Sequence, residues 1–221
     1  YDSYIRSFAE AAREWGHPFF LRFNWEMNGN WFPWGQSVNG NKPREVVAAW
    51  RHVHDIFTSV GATNATWVWC PYANPSQKFG SLSRLYPGAS YVDWTCMDGY
   101  NWAANPVNPH PWRTFDQIFA STYLKITRRV APRKPMILAE IASTGRAQAK
   151  ATWITSMFRM LATKYRRIRG LVWFDQRERG LQWPIETSPA ARRAFARGVR
   201  SRAYRSNTYA AIADGTISPP R

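Results

Sequence analysis

Two glutamates in this sequence stand where a carboxylate is costly. Glu26 ends the segment Phe19-Phe20-Leu21-Arg22-Phe23-Asn24-Trp25-Glu26, and Glu140 closes Pro135-Met136-Ile137-Leu138-Ala139-Glu140. An ionised carboxylate taken out of water without partners is strongly disfavoured, so each must have a task or an ion-pair partner. Two such groups can divide the work of breaking a glycosidic bond. One donates a proton to the leaving oxygen, and the other attacks the anomeric carbon or activates water. The structural alternative is ion pairing, with Arg22 or Arg146 as the counter-charge. Spacing alone leaves both readings open.

The elements that carry these residues alternate. Ile5, Phe8, Ala9, Ala12 and Trp15 recur at helical spacing, and Gly16 and Pro18 stop that helix before the apolar run at 19–23. Pro43 can open a second helix with the stripe Val46, Trp50, Val53, Phe57, Val60, and Gly61 can cap it. Strands are expected at 66–70, 91–97, 135–140 and 170–174, with a short helical turn near Leu82 and Leu85. Thr114 and Gln117 form a capping box for a helix carrying Ile118, Phe119, Ile126 and Val130. Residues 148–165 read as helix through Trp153, Met157, Phe158 and Leu161, and Ser188-Pro189 opens the last one.

Strand–helix alternation implies parallel pairing and an α/β class. Polar residues gather at the strand ends, as in Asn24-Trp25-Glu26 and Asp98-Gly99-Tyr100-Asn101. A (β/α)8 TIM-type barrel and an open doubly wound sheet both place their sites there. No glycine-rich phosphate fingerprint follows any strand, which disfavours a nucleotide-binding sheet. Five strands cannot close an eight-stranded barrel, so the barrel reading expects its first three strands to precede Tyr1. The start at Tyr1-Asp2-Ser3, inside a helical pattern and without an initiator Met, agrees. In a closed ring the ends carrying Glu26 and Glu140, three strands apart, face each other across the mouth.

Composition narrows the classes further. The 221 residues include 13 Trp, and indole faces both pack cores and stack on the apolar faces of sugar rings. The formal charge is +16, with one dense basic stretch from Arg192 to Arg205 but no nucleic-acid-reading motif. A solvated basic surface is favoured over binding of acidic polymers. The four His form no ligand constellation and the two Cys lack metal-ligand spacing, so neither metal nor cofactor is expected. No apolar run is long enough to span a membrane. Cys70 and Cys96 end neighbouring strands and are left either free or bonded.

The run from Arg22 through Glu26-Met27-Asn28-Gly29-Asn30-Trp31-Phe32-Pro33-Trp34-Gly35 resembles the acid/base segment of glycoside hydrolase family 26, the β-mannanase family. The resemblance continues at Tyr86-Pro87-Gly88, Tyr91-Val92-Asp93-Trp94, Asp98-Gly99-Tyr100-Asn101, Ile137-Leu138-Ala139-Glu140 and Val172-Trp173-Phe174. It implies a retaining mechanism with Glu26 as acid/base and Glu140 as nucleophile. Tyr100 resembles the tyrosine that hydrogen-bonds the nucleophile, Trp31 a stacking residue on the leaving-group side, and Trp173 the platform beneath the sugar. Arg22, Asn24 and Trp25 complete the expected substrate-binding set. Core packing is the alternative for the aromatics, including the further candidates Trp34, Trp69 and Trp102. The family usually carries His where this chain has Trp25, and an indole donates one hydrogen bond but cannot accept or titrate. That departure bears on the substrate: β-1,4-mannan first, then mixed-linkage β-glucan or β-1,3-xylan. The resemblance implies a secreted, monomeric enzyme whose partner is a polysaccharide. Residues 1–205 would be about strands 4 to 8 of the catalytic domain and 206–221 an irregular tail. A non-catalytic carbohydrate-binding remnant of such a barrel is the competing reading.

Overall fold

The computed structural model describes residues 1–73, 81–102, 110–178, 180–204 and 215–219. Helix α1 (Asp2–Trp15) ends at Gly16, whose left-handed φ of 74° returns its N–H to Ala12. Strand β1 (Phe19–Leu21) follows, then α2 (Pro43–Ser59). Pro43 opens α2, and the Glu45 carboxylate accepts from the Lys42 N–H at 2.8 Å. Next come β2 (Ala65–Trp69), β3 (Trp94–Asn101) and α3 (Phe115–Lys125), capped by Thr114 and Gln117 as the sequence implies. The helical path then widens into a π turn over Ile126–Val130. Strand β4 (Met136–Ser143), α4 (Ala147–Thr163) and β5 (Ile168–Trp173) continue the alternation. A small antiparallel pair, β6 (Arg177–Glu178) and β7 (Leu181–Gln182), precedes α5 (Pro189–Val199), which is capped by the Ser188 hydroxyl.

The five long strands form one parallel sheet in the order β1-β2-β3-β4-β5. Its two faces carry separate apolar layers. The outer face packs Trp67, Met97, Leu138, Ile141 and Trp173 against helix residues such as Trp50, Phe57, Phe119, Trp153 and Met157. Fully burying each such side chain stabilises by about 1.5–3 kcal/mol, so this layer dominates cohesion. The inner face is smaller: Val68, Cys70, Trp94 and Cys96, with Trp25, Ile137 and Ala139 against them. Towards the sheet edges it lies open, with Phe20 39% and Val172 51% exposed.

One end of that inner face is covered by the chain's own distal residues. The Ile217 N–H donates to the Thr66 hydroxyl at 2.7 Å, and the Trp94 indole donates to the Ile217 carbonyl at 2.7 Å. Arg205, residues 206–214 and 220–221 lie outside the described residues, so the tail expected at 206–221 is seen only at 215–219. The α5 arginines Arg192, Arg193 and Arg197 face solvent.

Cys70 and Cys96, left open by the sequence, are bonded across β2 and β3 on the inner face. A link between residues 26 apart restricts the unfolded chain and stabilises the fold by about 3 kcal/mol. Reduction is therefore expected to lower the melting temperature by roughly 5–10 °C. Differential scanning fluorimetry with and without dithiothreitol reads this shift, and coincident curves would show that the bond restrains nothing.

Candidate active site

The site is built where β1, β3 and β4 end. The chain leaves β1 at Leu21 and turns twice through left-handed backbone, at Asn24 (φ 52°) and Glu26 (φ 54°). Strand β1 is thus shorter than the apolar run suggests, and Glu26 sits in a turn beyond it. The Glu26 N–H still reaches the Cys70 carbonyl at 2.7 Å, keeping the turn tied to the end of β2. The Asn28 side chain clasps the Tyr72 backbone twice, donating to its carbonyl at 2.9 Å and accepting from its N–H at 2.8 Å. Gly29 leaves room for the Trp31 ring, since a Cβ there would lie 2.5 Å from it. The ring folds back over Gly29, and the indole N–H donates to the Glu26 carboxylate. Trp34 braces the same loop: its indole donates to the Trp25 carbonyl at 2.7 Å and its ring stacks on Phe32.

Strand β4 continues three residues past Glu140, so this carboxylate projects from within a strand. A bulge between Met97 and Asp98 shifts the β3–β4 register and pairs Asp98 with Glu140. Arg22 lies between them, donating to Asp98 at 2.7 Å and to Glu140. The Tyr100 hydroxyl donates to the other Glu140 oxygen. One oxygen each of Glu26, Asp98 and Glu140 lies within 4.8 Å of the other two.

Among the described residues three carboxylates thus share one close cation, and protonation follows from that imbalance. Burial pushes the Glu26 carboxyl up to about 7; the Glu140 charge adds to the rise, while the Trp31 bond and Arg22 oppose it. Burial raises Asp98 well above the ordinary carboxylate range despite Arg22. Burial works against the Arg22 charge too, but Asp98 and Glu140 more than offset it, so the guanidinium stays charged. Tyr100 is driven far upward by burial and by Glu140, which keeps its hydroxyl a donor.

Two groups in the described residues have the composition of a cation site. In the first, Cys70, Cys96 and Asp98, both sulfurs are consumed by the disulfide. In the second, Glu26, Asp98 and Glu140, the Arg22 guanidinium stands where a cation would balance the charge.

Above the carboxylates is a cleft of about 550 Å³. One wall is Trp25, Trp31, Phe32 and Tyr72; the other is Tyr100, Trp102 and Phe174, backed by the buried ring of Trp183, with Glu178 at its edge. Five of the residues expected from the sequence are therefore gathered here: Glu26, Glu140, Trp25, Trp31 and Tyr100. Arg22 lies beneath them, between Asp98 and Glu140. Asn24 does not line the cleft; it is buried in the turn, and its side-chain oxygen has no partner among the described residues.

Trp173 corrects the expectation placed on it. It pairs with Ile141 on the outer face and packs against Trp153 and Phe195, while its indole donates to the Trp183 carbonyl at 2.9 Å. Strand side chains alternate between faces, and the neighbouring Phe174 turns to the cleft instead. Trp69 is likewise core, with its indole on the Leu85 carbonyl, while Trp102 does line the cleft. Sequence reasoning misses Trp183, which sits in a segment that reads as connection. It also misses the part played by Asp98, whose motif is visible but whose ion pair with Arg22 is not.

A parallel α/β sheet that gathers two facing carboxylates and aromatic walls above its strand ends is the arrangement on which barrel-type glycoside hydrolases are built. The chain belongs to glycosyl hydrolase family 26, whose model matches residues 3–162. It is similar to Endoglucanase H of Acetivibrio thermocellus, 36% identical over 196 residues that are 88% of this chain and 21% of that protein. Mannan endo-1,4-beta-mannosidase A and B of Caldalkalibacillus mannanilyticus is 28% identical over 157 residues, 68% of this chain and 27% of that one. The solved catalytic domain of the Bacillus sp. JAMB-750 GH26 endo-beta-1,4-mannanase shares the fold, with a TM-score of 0.68 at 20% identity, over 96% of this chain and 59% of that chain. The chain thus spans less than two thirds of each.

The Trp31 bond stabilises the ionised form of Glu26, so its loss moves the carboxyl in a known direction. In Trp31→Phe the Glu26 pKa is expected to rise further above its value of about 7. Infrared or ¹³C titration of the carboxyl reads the shift, and a downward movement would show that the indole does not hold the charged form.

Proposed function

We propose that this chain carries the catalytic pair of a retaining, endo-acting β-glycan hydrolase, with Glu26 as acid/base and Glu140 as nucleophile. The observation that carries the reading is the narrow gap between the two, one oxygen of each lying within 4.8 Å of the other. Retaining enzymes hold their carboxyl groups roughly 5–5.5 Å apart, whereas inverting enzymes leave roughly 6.5–9.5 Å for a water. The environments support the division of labour. Glu140 accepts from Arg22 and Tyr100, which hold its carboxylate in place as the attacking group. Glu26, raised to about 7, is protonated in about half of the molecules at neutral pH, where an ordinary carboxyl would hold almost no proton.

In the first step a Glu140 oxygen attacks the anomeric carbon while Glu26 gives its proton to the departing glycosidic oxygen. A glycosyl ester on Glu140 results. In the second step Glu26 takes a proton from water, the water oxygen attacks the same carbon, and the Glu140 carboxylate leaves. Two inversions give net retention. Donor capacity is lost as pH rises through about 7, so the alkaline limb of the rate profile is expected there.

The reading includes a closed (β/α)8 barrel to which residues 1–205 contribute about strands 4 to 8. The edges of β1 and β5, unpaired among the described residues, and the exposed Phe20 and Val172 support it, since further strands would cover them. A secreted, monomeric enzyme completes the reading, in keeping with the bonded cysteines. β-1,4-Mannan is the substrate placed first, supported by the mannosidase relative. Mixed-linkage β-glucan is the second, favoured by the higher identity to Endoglucanase H and by Trp25 in the cleft wall.

Two variants separate the roles. Glu140→Ala is expected to form no glycosyl ester. Glu26→Ala is expected to form it from substrates with good leaving groups, to accumulate it, and to be rescued by azide with a β-configured product. Azide rescue of Glu140→Ala with an α-product would reverse the assignment. A panel of mannan, lichenan and β-1,3-xylan decides the substrate, and a preference for lichenan above about tenfold selects the second reading.

A further inference from the structure

A second buried cation stands behind the cleft, apart from the carboxylates. Lys150, in the first turn of α4, has no exposed surface. Two effects disfavour a charge there: burial removes water from the ammonium, and the positive end of a helix dipole lies beside it. Among the described residues it has no carboxylate within ion-pair distance. It donates instead to three successive carbonyls, Gln182 at 2.8 Å, Trp183 at 2.9 Å and Pro184 at 2.6 Å, with the Thr187 hydroxyl 3.2 Å away. Three consecutive carbonyls converge on one point only if the backbone is bent around it. Without the ammonium, these oxygens would point at each other inside the protein.

That bent segment carries the buried ring that backs one cleft wall. The Trp183 ring packs 5.2 Å from Tyr100 and 4.9 Å from Trp102, both cleft residues, and Tyr100 holds Glu140. We propose that Lys150 is a positioning residue whose ammonium fixes the Trp183 wall, and so sets how firmly the cleft holds a sugar chain on that side. The proposal rests on the glycan-hydrolase reading for its ligand, but not for the hold on the wall. Burial lowers the Lys150 pKa to about 8, with Asp175 and Glu186 opposing the drop, and the Trp173 ring lies 5.7 Å from the ammonium. A neutral amine loses one N–H and turns a lone pair on carbonyl oxygens. The wall should therefore loosen as pH rises through about 8.

The test joins two readouts across pH 6.5–9.5, in the wild type and in Lys150→Met, which keeps the length but not the charge. On the preferred polysaccharide, the wild-type KM is expected to rise roughly threefold to tenfold above pH 8, the size of one or two lost hydrogen bonds. The kcat follows the lower titration of Glu26. Lys150→Met should show the high KM at every pH, with kcat at pH 6.5 changed much less. Amide hydrogen exchange of the 181–188 segment reads the wall without turnover, and after correction for intrinsic pH dependence it should quicken in parallel. A wild-type KM flat across this range overturns the proposal, even if Lys150→Met fails to fold. Unchanged exchange in the segment overturns it too, as does a variant that loses only thermal stability. If no glycan on the panel is turned over, the hydrolase reading falls, and exchange alone decides whether Lys150 holds Trp183.

Discussion

One guanidinium among three carboxylates is the constraint on which the site depends. Arg22 comes from the end of β1, Asp98 from β3 and Glu140 from β4, so the ion cluster spans most of the sheet. Removing one member would leave uncompensated charge in a poorly hydrated place, which is far more destabilising than a lost surface pair. The cluster also sets protonation. Among the described residues a single close positive charge faces three carboxyl groups, and burial raises both Glu26 and Asp98, the latter in spite of its direct pairing with Arg22. Glu26 contacts the indole of Trp31 and lies against aromatic rings, and its carboxyl, raised to about 7, exchanges its proton near neutrality.

The sheet supports this crowding by dividing its faces. Packing cohesion resides mainly in the outer layer against the helices, leaving the inner face free to carry a disulfide, an ion cluster and a cleft. Both β3 and β4 change register next to the site, at Met97/Asp98 and between Leu138 and Ile141. Such bulges re-aim side chains locally without displacing the rest of a strand. Here they bring Asp98 and Glu140 side by side beneath the cleft.

Much of this is legible in the sequence. Helical stripes and apolar runs locate every long element, and Thr114 with Gln117 marks the start of α3. Glu26 and Glu140 stand out because a carboxylate beside an apolar run contradicts its surroundings. The misplacement of Trp173 has a clear cause. Val172, Trp173 and Phe174 are all apolar, so alternation does not say which residue faces the cleft, and the register that decides it lies in pairing with β4. Trp183 stays hidden because its position depends on carbonyl contacts with Lys150, and backbone oxygens leave no mark on residue type. Lys150 itself looks like an ordinary solvated helix cation.

The left-handed backbone at Asn24 and Glu26 bears on fidelity of aim. Asparagine visits such φ values readily, glutamate less so, and each non-glycine residue held there stores about 1 kcal/mol or more. The Asn28 clasp on Tyr72 and the Glu26 N–H on the Cys70 carbonyl tie the turn to the end of β2. With the backbone so fixed, only the side-chain torsions of Glu26 remain to wander, and Trp31 pins their far end. Under the proposed double displacement, a group that surrenders a proton and then recovers one from a different oxygen needs the same address both times. The sprung turn supplies it: local conformational energy becomes constancy of direction.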